Sequence, residues 1–346
     1  MDNDTSEYGT RPWIAAEDSY NSQIRLLPQL IQDVIPQLAA LPPRPKRITL
    51  LGIGASHAAA AIGEYCLRKV GIDAIRSTPA ELADLYPTHH TILISQSGRS
   101  AELVSIAEKL DPNNLIALTN YAPSPIGDLS KYQINLGNHP DSSVSFLSFT
   151  GTLISLGMLA DHWSGHLNLS TTQSQTKTAL TNVSEHESDL DTIASMIAEA
   201  NFVDFIGPAT YLGAVEEASL MFREGPRMSA TGMETRMYLH GPMDAAGPGA
   251  HVILGGKREA LLAEQLLEQT SNVTFVNIGQ EHVPPPSGAT FIGLADNNLA
   301  PVMHVVQATL LSQYLTLRVS KERSINIDEP VFQRLDTKTT RIRVTP

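Results

Sequence analysis

Ile24, Leu27, Leu30, Ile31, Val34 and Leu38 recur at spacings of three and four, which lines one face of a helix with apolar side chains. Leu41-Pro-Pro-Arg-Pro45 breaks the pattern, because proline lacks the N–H a helix needs and crowds the preceding turn. Beyond it the period changes. Short apolar runs predict strands over residues 47–54, 91–94, 114–118 and 132–136, with a more polar one at 73–77. Ala- and Leu-rich stretches between and after them predict helices over 56–70, 100–110 and 145–159. Unbroken apolar strands are buried on both faces, and the helices between them read as crossovers of a parallel sheet.

Residues 170–200 are polar, then helical through Leu190, Ile193 and Ile197. A second alternation follows, with strands over 202–207, 251–254 and 273–277 and helices over 213–223, 258–269 and 302–318. The halves resemble a degenerate repeat of strand, Gly-containing turn and Ala-rich helix. The pattern divides the chain into an N-terminal helical segment (1–45), a first domain (46–170), a connector helix (171–199), a second domain (200–320) and an extended tail (321–346).

Composition narrows the functional classes. The 346 residues suffice for two cores. A net charge of −12 disfavours nucleic acid or an anionic membrane as partner. No apolar run approaches the length of a membrane span. The opening MDNDTSEYGT lacks the basic and apolar regions of a secretory signal, so a cytoplasmic location is expected. Cys66 is the single cysteine, which excludes an internal disulfide and a cysteine zinc cage.

Two strand-to-helix turns carry candidate chemistry. Gly52-Ile-Gly54-Ala-Ser56-His57 has the glycines of a tight turn ahead of a helix, where unpaired N–H groups attract anions. A dinucleotide fingerprint would need glycine at position 57, where His57 stands. A plain strand–helix turn is the simpler alternative. Ser95-Gln96-Ser97-Gly98-Arg99-Ser100 packs three hydroxyls, an amide and a flexible glycine into six residues. Ordinary helix capping needs one hydroxyl, so the group reads as a phosphate cradle.

These two turns resemble the phosphate loops of the sugar isomerase (SIS) family, whose hallmark is a Ser-Gln-Ser-Gly turn. The resemblance spans about residues 45–340. It implies two tandem SIS domains, each a parallel sheet flanked by helices in a flavodoxin-like three-layer arrangement. It also implies that Gly54, Ser56, Ser95, Gln96, Ser97, Ser100 and Ser145 hold a sugar phosphate. Met221-Phe-Arg-Glu224 and Tyr238-Leu-His240-Gly-Pro242 resemble the family's catalytic motifs, with Glu224 and His240 sixteen residues apart. By that resemblance Glu224 moves a proton between C1 and C2 of an open-chain sugar, and His240, reaching across a homodimer interface, assists ring opening. A carboxylate and a near-neutral imidazole suit those roles.

The sequence also departs from the family. The second half has Leu254-Gly-Gly256 in place of a serine turn. Val144-Ser-Phe-Leu-Ser148 stands where the family carries Ala-Ser-Thr-Lys, and Met221 stands where it carries lysine. Lys338, the counterpart of a ring-opening lysine, sits in a motif with insertions. The losses fall on the sugar end. The expectation is an isomerase or deaminase of a hexose or amino-hexose 6-phosphate, with no cofactor. The alternative is a non-catalytic phosphosugar sensor. His89-His90 and His162…His166 offer no third ligand, so no metal is expected.

Overall fold

The computed structural model describes residues 13–82, 86–332 and 337–339. The chain forms two compact units. Unit 1 runs to Leu169 and takes the chain back at Pro330; unit 2 is Ser170–Glu329.

Unit 1 contains α1 (Ala16–Leu38), β1 (Arg47–Leu51), α2 (Ala55–Lys69), β2 (Asp73–Ser77), α3 (Pro79–Leu82), β3 (Thr91–Ser95), α4 (Ala101–Ala107), β4 (Leu115–Thr119), α5 (Pro125–Asp128), β5 (Tyr132–Asn135) and α6 (Phe146–Ser164). Its sheet has the order β2-β1-β3-β4-β5, all parallel. Every residue of β3 and β4 is buried, as their unbroken apolar runs require. The chain starts in β1, steps out to β2, then crosses to β3 on the other side of β1. The connections leaving β1 and β3 therefore diverge, and a crevice opens beyond the C-terminal ends of these two strands.

The N-terminal helix is part of this unit. Leu27, Leu30, Ile31, Val34 and Leu38 of α1 are fully buried. A Cβ placed on Gly151 of α6 would lie 2.5 Å from Leu30 Cδ1, so that glycine lets α1 and α6 approach closely.

Unit 2 contains α7 (Leu169–Ser184, its first residue at the boundary), α8 (Glu187–Ala198), β6 (Phe202–Gly207), α9 (Leu212–Glu224), β7 (Ser229–Glu234), α10 (Thr235–Leu239), β8 (Ala250–Gly255), α11 (Lys257–Leu267), β9 (Val273–Asn277), β10 (Thr290–Gly293) and α12 (Pro301–Glu322). The order β7-β6-β8-β9-β10, again all parallel, repeats that of unit 1. Both units thus have the parallel α/β architecture read from the sequence.

Three features differ from that reading. The connector is two helices, not one, and belongs to unit 2: Arg318 and Tyr314 of α12 both bond Asp191 of α8, at 2.7 and 3.0 Å. Strands β7 and β10 lie outside the strands read from the sequence. Ser229-Ala-Thr-Gly-Met-Glu234 is poor in β-branched residues and is held by its register against β6. Part of the tail, residues 337–339, returns to unit 1 and pairs there, as described next.

Candidate functional site

The first turn of unit 1 is built on glycine. A Cβ on Gly52 would lie 2.5 Å from the Ser56 carbonyl carbon and oxygen. Gly54 has φ of 58°, a left-handed conformation that costs glycine little. Ser56 and His57, both half-buried, then form the first turn of α2.

The second turn is tied to itself by its own hydroxyls. Ser95 Oγ accepts the Gly98 N–H at 3.1 Å, and Ser97 Oγ accepts the Arg99 N–H at 3.2 Å. Gly98 has φ of 61°, and its missing Cβ leaves room for Ser124 Oγ, which would be 2.3 Å away. The Gln96 carbonyl takes the N–H groups of Asn120 and Tyr121. Ser100 precedes α4 but does not cap it; its hydroxyl donates to Glu102 at 3.2 Å. Helix capping therefore does not account for this serine.

Onto this turn the returning chain is laid. Thr339 N–H donates to the Arg99 carbonyl at 2.9 Å, and Ala101 N–H donates to the Thr337 carbonyl at 3.2 Å. Ser100 and Lys338 form an antiparallel bridge. That pairing sets the Lys338 ammonium 3.3 Å from Ser97 Oγ, to which it donates. The family motif preceding Lys338 falls partly on 333–336, outside the described residues. The turn thus has a cation beside it.

Behind the turn lies a group the sequence reading missed. Asp141, fully buried, accepts at Oδ1 from Ser19 Oγ (2.5 Å), Ser142 N (2.8 Å) and Leu147 N (3.2 Å). At Oδ2 it accepts from Ser148 N (2.8 Å), Ser148 Oγ and Gln96 Nε2 (3.0 Å). Gln96 Nε2 also donates to Ser148 Oγ at 3.2 Å. The Gln96 side-chain N–H groups are therefore used inside the protein. Ser145 sits at the head of α6 with φ of 64° and makes no side-chain cap. The first free N–H groups of α6 go to Asp141 instead.

Glu224 and His240 lie in unit 2. Glu224 ends α9, half-buried. His240 follows α10 directly, and α10 is strapped down on several sides. The Glu234 carboxylate caps Arg236 N and Met237 N, Thr235 Oγ1 donates to Glu259, and Tyr238 OH donates to Asp204 at 3.1 Å. Burial and then the Asp204 charge raise the Tyr238 phenol's pKa. The turn of unit 2 that corresponds to Ser95–Ser100 is closed. Glu259 folds back to accept the Gly256 N–H at 3.1 Å, and a Cβ on Gly255 would meet its carboxylate at 2.5 Å. An internal carboxylate occupies the place of an anion.

One turn-pair before Glu224 on α9 is Glu217, fully buried, with no partner for Oε2 among the described residues. Burial first, and the Glu224 charge second, raise its pKa well above the ordinary 4.5. The seven-residue spacing on one helix face was the available signal. Above the unfolded pKa the folded protein then holds one proton more than the unfolded chain, so stability falls with rising pH by about 1.4 kcal/mol per unit until the folded value is passed. Glu217→Gln removes that loss. Its melting temperature should exceed the wild-type value by a margin that widens as pH is raised from about 4; a margin independent of pH would show that Glu217 is not a buried neutral acid.

Among the described residues no group of His, Cys, Asp and Glu could hold a metal ion, and no helix is long and apolar enough to cross a membrane. Burial, aided by Asp161, pushes the Cys66 thiol up to about 12, which disfavours the thiolate.

Residues 44–161 match the SIS domain family. Among curated proteins none matches the chain. Solved structures share its fold over nearly the whole length. The C-terminal domain of glucosamine-fructose-6-phosphate aminotransferase from Francisella tularensis aligns with a TM-score of 0.77 at 15% identity, over 94% of this chain and 100% of that one. Glucosamine-6-phosphate deaminase from Thermotoga maritima aligns at 0.74 and 17%, over 92% and 98%. Tagatose-6-phosphate ketose/aldose isomerase from Escherichia coli aligns at 0.74 and 15%, over 95% and 100%. With its serine turns at the β1/β3 switch point and its sequence match, the segment 44–161 belongs to the SIS domain family.

Proposed function

We propose that the protein binds a hexose or amino-hexose 6-phosphate at the β1/β3 crevice of unit 1 and catalyses aldose–ketose isomerisation. In a deaminating version the same proton transfer accompanies loss of ammonia from an amino sugar. The observation that carries the reading is the Lys338 ammonium on Ser97, within a turn of serines at a topological switch point. A cation, hydroxyls and main-chain N–H groups at such a point suit a phosphate dianion.

Glu224 is the proton-transfer base. It removes the C2 proton of the open-chain aldose as the electron pair passes to the carbonyl to give an enediolate; the hydroxyl proton passes from O2 to O1, and the proton held by Glu224 returns at C1 to give the ketose. His240 carries the ring hydroxyl proton during opening. The homodimer expected from the resemblance belongs to the same reading, as does a cytoplasmic setting. The test is a panel of hexose and amino-hexose 6-phosphates, scored for ketose formation and ammonia release.

We assign Lys338 to the phosphate rather than to ring opening, since its ammonium is held at the phosphate turn. Lys338→Met should raise KM about tenfold or more and leave kcat within a few-fold. If kcat collapses on cyclic sugars but is spared on an open-chain analogue, the ring-opening role is restored. The sensor reading keeps one observation in its favour: the N–H groups at the head of α6, near the altered Val144–Ser148 stretch, are spent on Asp141.

A further inference from the structure

The Gln96 amide has a definite orientation. A carboxylate can only accept, so the nitrogen of Gln96 must face Asp141. Ser148 gives its hydroxyl proton to Asp141 and so accepts the second Gln96 N–H. Both amide hydrogens are spoken for. The remaining oxygen, Oε1, has no bond to any described residue, and Gln96 is half-buried where its neighbours Ser95 and Ser97 are buried. An amide carbonyl with two lone pairs cannot donate to a phosphate, and its partial negative charge repels one. It can accept from a hydroxyl or an ammonium.

The geometry points to Gln96 as a specificity-determining residue, whose side-chain oxygen accepts a hydrogen bond from a hydroxyl or amino group on the sugar part of the ligand, with Asp141 as the positioning residue that fixes that orientation. This rests on the reading that a phosphosugar binds at the β1/β3 crevice. It assigns the two consecutive residues of one turn to different ends of the ligand: Ser97 with Lys338 to the phosphate, Gln96 to the sugar. The side-chain stack behind Gln96 reaches from α1 through Ser19 and from the head of α6 through Ser142, Leu147 and Ser148. Rotation of the amide would set a carbonyl against the Asp141 carboxylate and leave the N–H groups pointing outward, which the buried charge opposes.

The experiment is calorimetric titration of the full chain with inorganic phosphate and with glucosamine 6-phosphate. Gln96→Met keeps the length of the side chain and removes the acceptor. It should weaken glucosamine 6-phosphate about tenfold and leave inorganic phosphate within twofold, whereas Ser97→Ala should weaken both. Asp141→Asn, where it folds, should weaken the sugar phosphate selectively as Gln96→Met does. Equal loss on both probes in Gln96→Met would place Gln96 at the phosphate and overturn the proposal. No loss on either probe would overturn it too, while the phosphosugar reading stood on Ser97→Ala. If the wild type binds neither probe, that reading fails and this proposal with it.

Discussion

Glu224→Gln should lower turnover by about 10²–10⁴ while leaving sugar-phosphate affinity unchanged. The substitution keeps the shape of the side chain and removes its basicity. Proton transfer between adjacent carbons needs one base able to reach both, and contacts to a phosphate group cannot supply it. The direct readout is solvent deuterium incorporated at C1 or C2, because exchange reports the proton transfer even where net conversion is small. Exchange by Glu224→Gln at the wild-type rate would remove Glu224 from the role of base. Absence of exchange in the wild type, with every hexose phosphate tried, would leave a protein that binds without turning over. The two outcomes separate a wrong residue from a wrong reaction.

Asp141→Ala should destabilise unit 1 by at least about 3 kcal/mol. The carboxylate is fully buried and collects donors from α1, from the head of α6 and from the serine turn. Each buried donor stranded by its removal costs on the order of 1–3 kcal/mol, reduced where water enters the gap. For a unit of this size that corresponds to a fall of roughly 6–12 °C in melting temperature. Trp13 and Trp163 are the protein's two tryptophans and both lie in unit 1, so tryptophan fluorescence follows that unit alone. A fall of less than about 2 °C in that signal would show that the donors find other partners.

The strands with unbroken apolar runs were legible because burial on both faces leaves no other solution: Ile92-Leu-Ile94 and Ile116-Ala-Leu118 sit in the middle of the first sheet. Strand β7 was not, since its pairing with β6 compensates for poor intrinsic propensity; β10, Thr290-Phe-Ile-Gly293, was not because so short a run does not stand out from a loop. The break between α7 and α8 was hidden in a Ser/Thr-rich stretch whose helicity depends on packing. In the site, the serines of the second turn announced themselves by density of hydroxyls in six residues. Asp141 could not be found that way. Its donors come from positions 19, 96, 142, 147 and 148, and only the fold makes them neighbours. Lys338 was found by motif, but its place on Ser97 depends on the backbone pairing of 337–339 with 99–101.

That pairing has a consequence for the order in which the protein is made. The lysine and the serine it touches are 241 residues apart, and all of unit 2 is translated between them. At ordinary elongation rates the interval is about 10–50 s. The first sheet has time to form on the ribosome before Lys338 exists, so the serine turn is without its neighbouring ammonium while the second half is synthesised. The pairing of residues 337–339 with 99–101 is therefore among the last contacts of unit 1 that the chain can make.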